Sequence, residues 1–128
     1  MKRALFPLTL LALSSVAASD QPHGSWKDAQ VTDVTVYAAG GPAAKGYVVV
    51  TFAANGTGTP SCANGYPRSV AIDLSAPGGA FAAAIMQTAF LTGTSSLTVT
   101  GTGTCSLIPN AETLASIEEH SRAARAVD

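Results

Sequence analysis

Residues Ser69 to Cys105 read SVAIDLSAPGGAFAAAIMQTAFLTGTSSLTVTGTGTC, and the changes of period within them decide the fold. Val70, Ile72 and Leu74 fall on one face of Ser69 to Leu74, the period of two that a strand requires. Pro77-Gly78-Gly79 then breaks the alternation, and Ala80 to Leu91 follows at helical spacing. Phe81, Ile85 and Thr88 or Ala89 make the stripe, with Met86 and Phe90 widening it. Alanine is the best helix former, Ser75 or Pro77 can open the element, and Gly93 stands where a C-terminal cap belongs. From Leu97 to Cys105 the alternation returns, with Leu97, Val99, Gly101 and Gly103 on one side and threonines on the other. Glycines inside a strand mark a bulge, a bend or a close backbone approach.

Upstream, Val31 to Tyr37 is β-branched and aromatic, with Val34 and Val36 on one face. Gly40-Gly41-Pro42 ends it, and Tyr47 to Ala53 is a second strand whose three valines predict burial on both sides over part of its length. Asn55 to Ser61 is a turn-rich loop leading into Cys62; its Asn55-Gly56-Thr57 has the form of a glycosylation sequon but reads as a turn. Downstream, Glu112 to Ile117 suits a helical turn or a short last strand, and the strand is chosen because the fold needs one. Residues 118–128 read as a flexible or helical tail.

The order is three strands, a helix and two strands. This makes the chain mainly β with one internal α-helix between strands three and four, the arrangement of a five-stranded OB-fold Greek-key barrel. Gly101 and Gly103 would supply the bend that so small a barrel needs. The competing architecture is a flat sheet with the helix on one face.

The first residues have a different purpose. Met1-Lys2-Arg3 is basic, Ala4 to Leu13 is almost wholly apolar, and Ser14 to Ser19 is small, the order of a secretory signal peptide. The apolar stretch of about ten residues is too short for a bilayer, which needs about 20. Cleavage is expected after Ala18, giving a leader over 1–18 and a single domain over 19–128, secreted or periplasmic and without membrane insertion. Loss of Lys2 and Arg3 leaves five basic side chains against eight acids, a net charge of −3. With no cluster of Lys and Arg there is no footprint for nucleic acid. Of the whole 128-residue chain 47% is hydrophobic and 12% charged, which excludes a disordered polyelectrolyte.

Cys62 and Cys105 are the only cysteines, and in an exported chain an even pair reads as one disulfide. Closing a loop of about 44 residues is worth roughly 4 kcal/mol in the chain-entropy account. A zinc site would want four ligands, and only His23 and His120 could join the cysteines, so no metal or cofactor is expected.

The run Asp73-Leu74-Ser75-Ala76-Pro77-Gly78-Gly79, the Ala-rich helix, Gly101-Thr102-Gly103-Thr104-Cys105 and the following Glu112 resemble the B subunit of subtilase cytotoxin and its exported bacterial relatives. The resemblance covers about half of the mature chain. It implies an OB-fold subunit, often a homo-pentamer, partnered by an exported A subunit and binding sialylated glycans on host cells. The toxin's sugar contacts find no matching positions within Ser25 to Lys45, so no glycan-binding residue is carried over.

The remaining chemistry is sparse. A nucleophilic triad needs a histidine, and His23 and His120 lie in terminal segments, which leaves a non-enzymatic chain as the expectation. Asp28, Asp33, Asp73 and Glu112 are the acids to consider for glycoside chemistry, but a solvated face or a turn hydrogen bond accounts for each. Gly78-Gly79 lacks the spacing of a phosphate loop and reads as tight strand-to-helix packing. Trp26, Tyr37, Tyr47 and Tyr66 are the side chains suited to stack on a sugar ring, with Trp26 and Tyr66 the ligand-face candidates. The function expected is a binding subunit of toxin B type that recognises host glycans; the alternative is an exported adaptor or inhibitor that binds a protein.

Overall fold

The computed structural model describes residues 22–38 and 45–120. The expected leader over 1–18 and the last residues of the expected tail, 121–128, lie outside that range. Six strands occur in chain order: β1 (Ser25–Ala29), β2 (Val31–Tyr37), β3 (Tyr47–Phe52), β4 (Ser69–Asp73), β5 (Leu97–Gly101) and β6 (Glu112–Glu119). One helix, α1 (Gly79–Thr92), lies between β4 and β5, and a 3-10 turn spans Ser61–Ala63. The strands form one sheet in the order β1-β5-β6-β4-β3-β2. Pairing is antiparallel throughout except for β4 beside β6, which run parallel with Val70 opposite Glu112.

Four expectations are corrected. There are six strands, not five, because Ser25–Ala29 forms one of its own. Its Trp26 and Ala29 are buried with two exposed residues between them, so it has no period of two to read. A bulge causes this, with the pairing shifting between Trp26 and Ala29 and Asp28 held at a φ of 50°. Second, the hydrogen-bonded ladder is not closed into a barrel, since β1 and β2 stand at its two edges. Only Gln30 separates these two edge strands along the chain. Third, the helix consequently follows the fourth strand. Fourth, Glu118 and Glu119 belong to β6, opposite Thr98 and Leu97, so the tail begins later than its polar composition implied.

The core follows from the alternation. Val48, Val50 and Phe52 of β3 point inward with Leu97 and Val99 of β5, and Val70 and Ile72 join them from β4. β4 is buried from Ser69 through Ile72 because β3 and β6 flank it and the helix packs on it. Trp26 stacks at a tilt on Phe52, with ring centres 4.9 Å apart.

Helix α1 lies across β2 and β4. Its buried positions are Gly79, Met86 and Ala89, with Ala82, Ala83 and Ile85 partly buried against the core. Phe81, placed on the buried stripe by the sequence, is 71% exposed instead. Because the helix is apolar on every side, its pattern does not specify which side turns inward. The side that turns inward carries Met86 and Ala89 into the core, and at its start Gly79 packs closely: a Cβ there would run into the Asp73 carbonyl oxygen. The helix opens on Gly78, not on Ser75 or Pro77, and ends on Gly93, whose N–H donates to the Ala89 carbonyl at 2.9 Å. Both caps are left-handed, at φ values of 79° and 73°. Among the described residues no helix is long and apolar enough to cross a membrane.

The obstacle at Gly79 is main chain and cannot swing aside. Gly79→Ala is expected to cost about 1–3 kcal/mol, read as a lowered thermal midpoint with the far-ultraviolet spectrum retained at low temperature. An unchanged midpoint would contradict the packing described.

Candidate functional site

Two long loops leave the same end of the sheet. The first, residues 53–68, carries the 3-10 turn; the second, 102–111, joins β5 to β6. Cys62 and Cys105 are bonded and tie one loop to the other, with Cα atoms 6.1 Å apart. The expected disulfide is therefore present. Beside it Ala63 is fully buried, and its carbonyl accepts the Tyr66 N–H at 3.1 Å, which fixes the backbone that carries the Tyr66 ring.

A groove of about 410 Å³ opens between these loops and the ends of β2 and β3. Tyr37, Tyr47 and Val49 line it from the strands, Tyr66 from the first loop, and Ile108, Pro109, Asn110 and Ala111 from the second. Tyr37 and Tyr47 face each other across the β2–β3 ladder and stack, with centres 4.8 Å apart and planes 19° off parallel. Asn110 sits in the left-handed region at a φ of 71°, and its side chain lies against Gly65, where a Cβ would crowd it. Asparagine tolerates that conformation better than most residues. Among the described residues the groove is lined by three tyrosines, four apolar residues and Asn110, none of them charged.

A second constellation underlies the first. Glu112, at the start of β6, is completely buried. The Gly24 N–H donates to both carboxylate oxygens, at 3.1 and 3.0 Å, and the Gly103 N–H donates to Oε2 at 2.7 Å. Gly101 has no side chain because Glu112 occupies the space where its Cβ would be, and a Cβ on Gly24 would likewise meet Oε1. Glu112 is therefore neither solvated nor a turn acceptor, as the sequence suggested; it is a carboxylate clamped by main chain. The Gly101-Thr102-Gly103 run is the cradle that admits it.

The other sequence candidates disperse. Trp26 is 4% exposed and donates its indole N–H to the Ala54 carbonyl at 3.0 Å, so its ring belongs to the core and not to a ligand face. Tyr66 is 55% exposed and does line the groove. His120 lies near Thr98 and Glu118 at the far end of β6, exposed. Asp28 and Asp33 are exposed on β1 and β2. Asp73 accepts the backbone N–H and the hydroxyl of Ser75 and meets Lys45 at 3.3 Å. Those Ser75 bonds first, and Lys45 after them, hold the Asp73 carboxyl below its ordinary value against an opposing desolvation. Among the described residues no group of His, Cys, Asp and Glu gathers at metal-binding spacing.

Sequence reading treated Tyr37 and Tyr47 as separate aromatics and did not single out Asn110. Their positions at the two ends of one break between strands were the available signal, since such residues face each other when a hairpin forms. Asn110 gave none, because its place depends on the disulfide-linked loops. Compared with family models, curated proteins and solved structures, the chain matches none.

Glu112→Gln would set an amide NH₂ among backbone donors in a fully buried place. It is expected to destabilise the fold by about 1–3 kcal/mol, measured by denaturant unfolding; a wild-type midpoint would contradict the clamp. For Asp73 the folded pKa lies below the unfolded one, so its contribution is present above the ordinary carboxylate pKa and is lost as pH falls through the lowered folded value. Asp73→Asn should therefore flatten the acid limb of the stability–pH profile and leave its neutral-to-alkaline shape unchanged.

Proposed function

We propose that this chain is an exported, non-enzymatic binding subunit of OB type that assembles with copies of itself and recognises glycans. The fold part of this reading is supported by three features. The edge strands β1 and β2 are separated by Gln30 alone, so they serve as two halves of one sharply bent strand. β4 and β6 are the parallel pair, and α1 lies in the connection after β4. An OB-fold requires such a first strand shared between the two ends of its sheet. Export is supported by the basic–apolar–small order of residues 1–18 and by the disulfide, which persists in oxidising compartments.

The observation that carries assembly is the outer face of α1. The helix has no charged residue from Gly79 to Thr92, yet Phe81 and Leu91 are each 71% exposed and Phe90 is 41% exposed. Beside it a groove of about 490 Å³ runs between Phe81, Ile85, Leu114 and Ile117. A helix apolar on all sides is stable in water when both sides are covered. The sheet covers one, and other subunits are the occupant proposed for the second.

The mass of the native mature chain by light scattering tests this. A pentamer that dissociates in the Phe81→Asp/Leu91→Asp double variant is the expected result, with each aspartate burying a charge in the interface. A monomeric wild-type chain would overturn assembly and favour the adaptor alternative.

A further inference from the structure

We infer that the groove formed by Tyr37, Tyr47, Tyr66, Pro109 and Asn110 is a sugar-binding site, and that it takes a neutral hexose ring and not an acidic sugar. This rests on the reading of the chain as a glycan-binding subunit and assigns the residues and ligand class for it. The apolar C–H face of a pyranose matches an aromatic face, while its equatorial hydroxyls need donors and acceptors at the ring's edge. The groove supplies both. Tyr37 is 46% and Tyr66 55% exposed, so ring surface is available at the opening, and the Tyr37–Tyr47 stack holds those two rings in place. Tyr hydroxyls both donate and accept, and the Asn110 side chain adds an amide that does the same.

Charge selects within the class. A carboxylated sugar is recognised by Arg or Lys, or by a cluster of N–H groups aimed at the anion. Among the described residues, none that lines the groove has a cationic side chain. Its residues also surround a space of about 410 Å³, at the lower end of the usual range for small-molecule pockets. That volume suits one or two rings.

Preorganisation comes from the staple. Tyr66 and Pro109 belong to the two loops joined by Cys62 and Cys105, so the staple limits how far the two sides of the lining can part. Such restraint lowers the ordering cost that weakens shallow sites.

The test uses the mature full chain on an array of hexose-terminated oligosaccharides and their sialylated counterparts, followed by calorimetric titration of the best neutral probe. Tyr66→Ala and Tyr37→Ala are compared with Thr98→Ala, on the opposite part of the molecule, after circular dichroism and a thiol assay establish the fold and disulfide. The expected result is binding of neutral glycans, weakened about tenfold or more in each tyrosine variant, as loss of an aromatic contact of about 1.4 kcal/mol implies. Thr98→Ala binds as wild type. If a Tyr66→Ala variant fails to fold, Tyr66→Ser and Asn110→Ala take its place. Binding confined to sialylated probes, or neutral binding that survives the tyrosine changes, would overturn this assignment while leaving the glycan-binding reading intact. A blank array would overturn both, as would capture of a proline-rich peptide without any sugar.

Discussion

The Glu112 carboxylate is the point at which three distant stretches of chain meet. It draws the Gly24 N–H from the N-terminal entry and the Gly103 N–H from the loop after β5 onto one residue of β6. Burying a polar group is costly unless its hydrogen bonds are met, so the Glu112 side chain is stable in this place only if both glycine segments arrive together. The same residue sits opposite Val70 in the parallel β4–β6 pairing, at the centre of the sheet. Main-chain continuity supports it as well, since the Gly101 N–H donates to the Gly24 carbonyl at 2.9 Å. The clamp adds to the antiparallel ladder that holds β1 on β5, where Trp26 covers Phe52.

Built around that centre, the molecule separates its tasks. The core is made by alternating residues of β3, β4 and β5, and the helix packs on β2 and β4 with Met86 and Ala89 buried and Ala82, Ala83 and Ile85 beside them. Three other large apolar side chains of the helix, Phe81, Phe90 and Leu91, are exposed. At another part of the surface, the stapled loops and the hairpin ends form the tyrosine groove. The exposed helix surface and the tyrosine groove lie on different elements, so each can vary without disturbing the other.

Much of the fold was legible in the residues themselves. The strand from Val31 to Tyr37 lies where the β-branched pattern places it, and the strand around Val99 begins at Leu97 as read. The end of the helix at Gly93 follows from glycine's freedom at positive φ. Trp26 was legible as an aromatic but not as core, because its burial depends on Phe52, distant in sequence. β1 escaped detection because a bulge at Asp28 erases its alternation. Of the groove, only Tyr66 was singled out, since the register that stacks Tyr37 on Tyr47 is a property of paired strands and not of either one.

Local chemistry thus determined where four of the strands begin, that a helix ending at Gly93 lies between two of them, and that the two cysteines would bond; it did not set the strand ends, since the alternation expected to run to Cys105 leaves the sheet after Gly101. These are choices made within a few residues, by backbone sterics and by the period of apolar side chains. Tertiary structure decided which face of an evenly apolar helix turned inward, why a glycine-rich run had to lack side chains, and which tyrosines share a groove. Each of those depends on contacts between segments far apart in the chain, as Glu112 against Gly24 and Tyr66 against the 105–111 loop make plain.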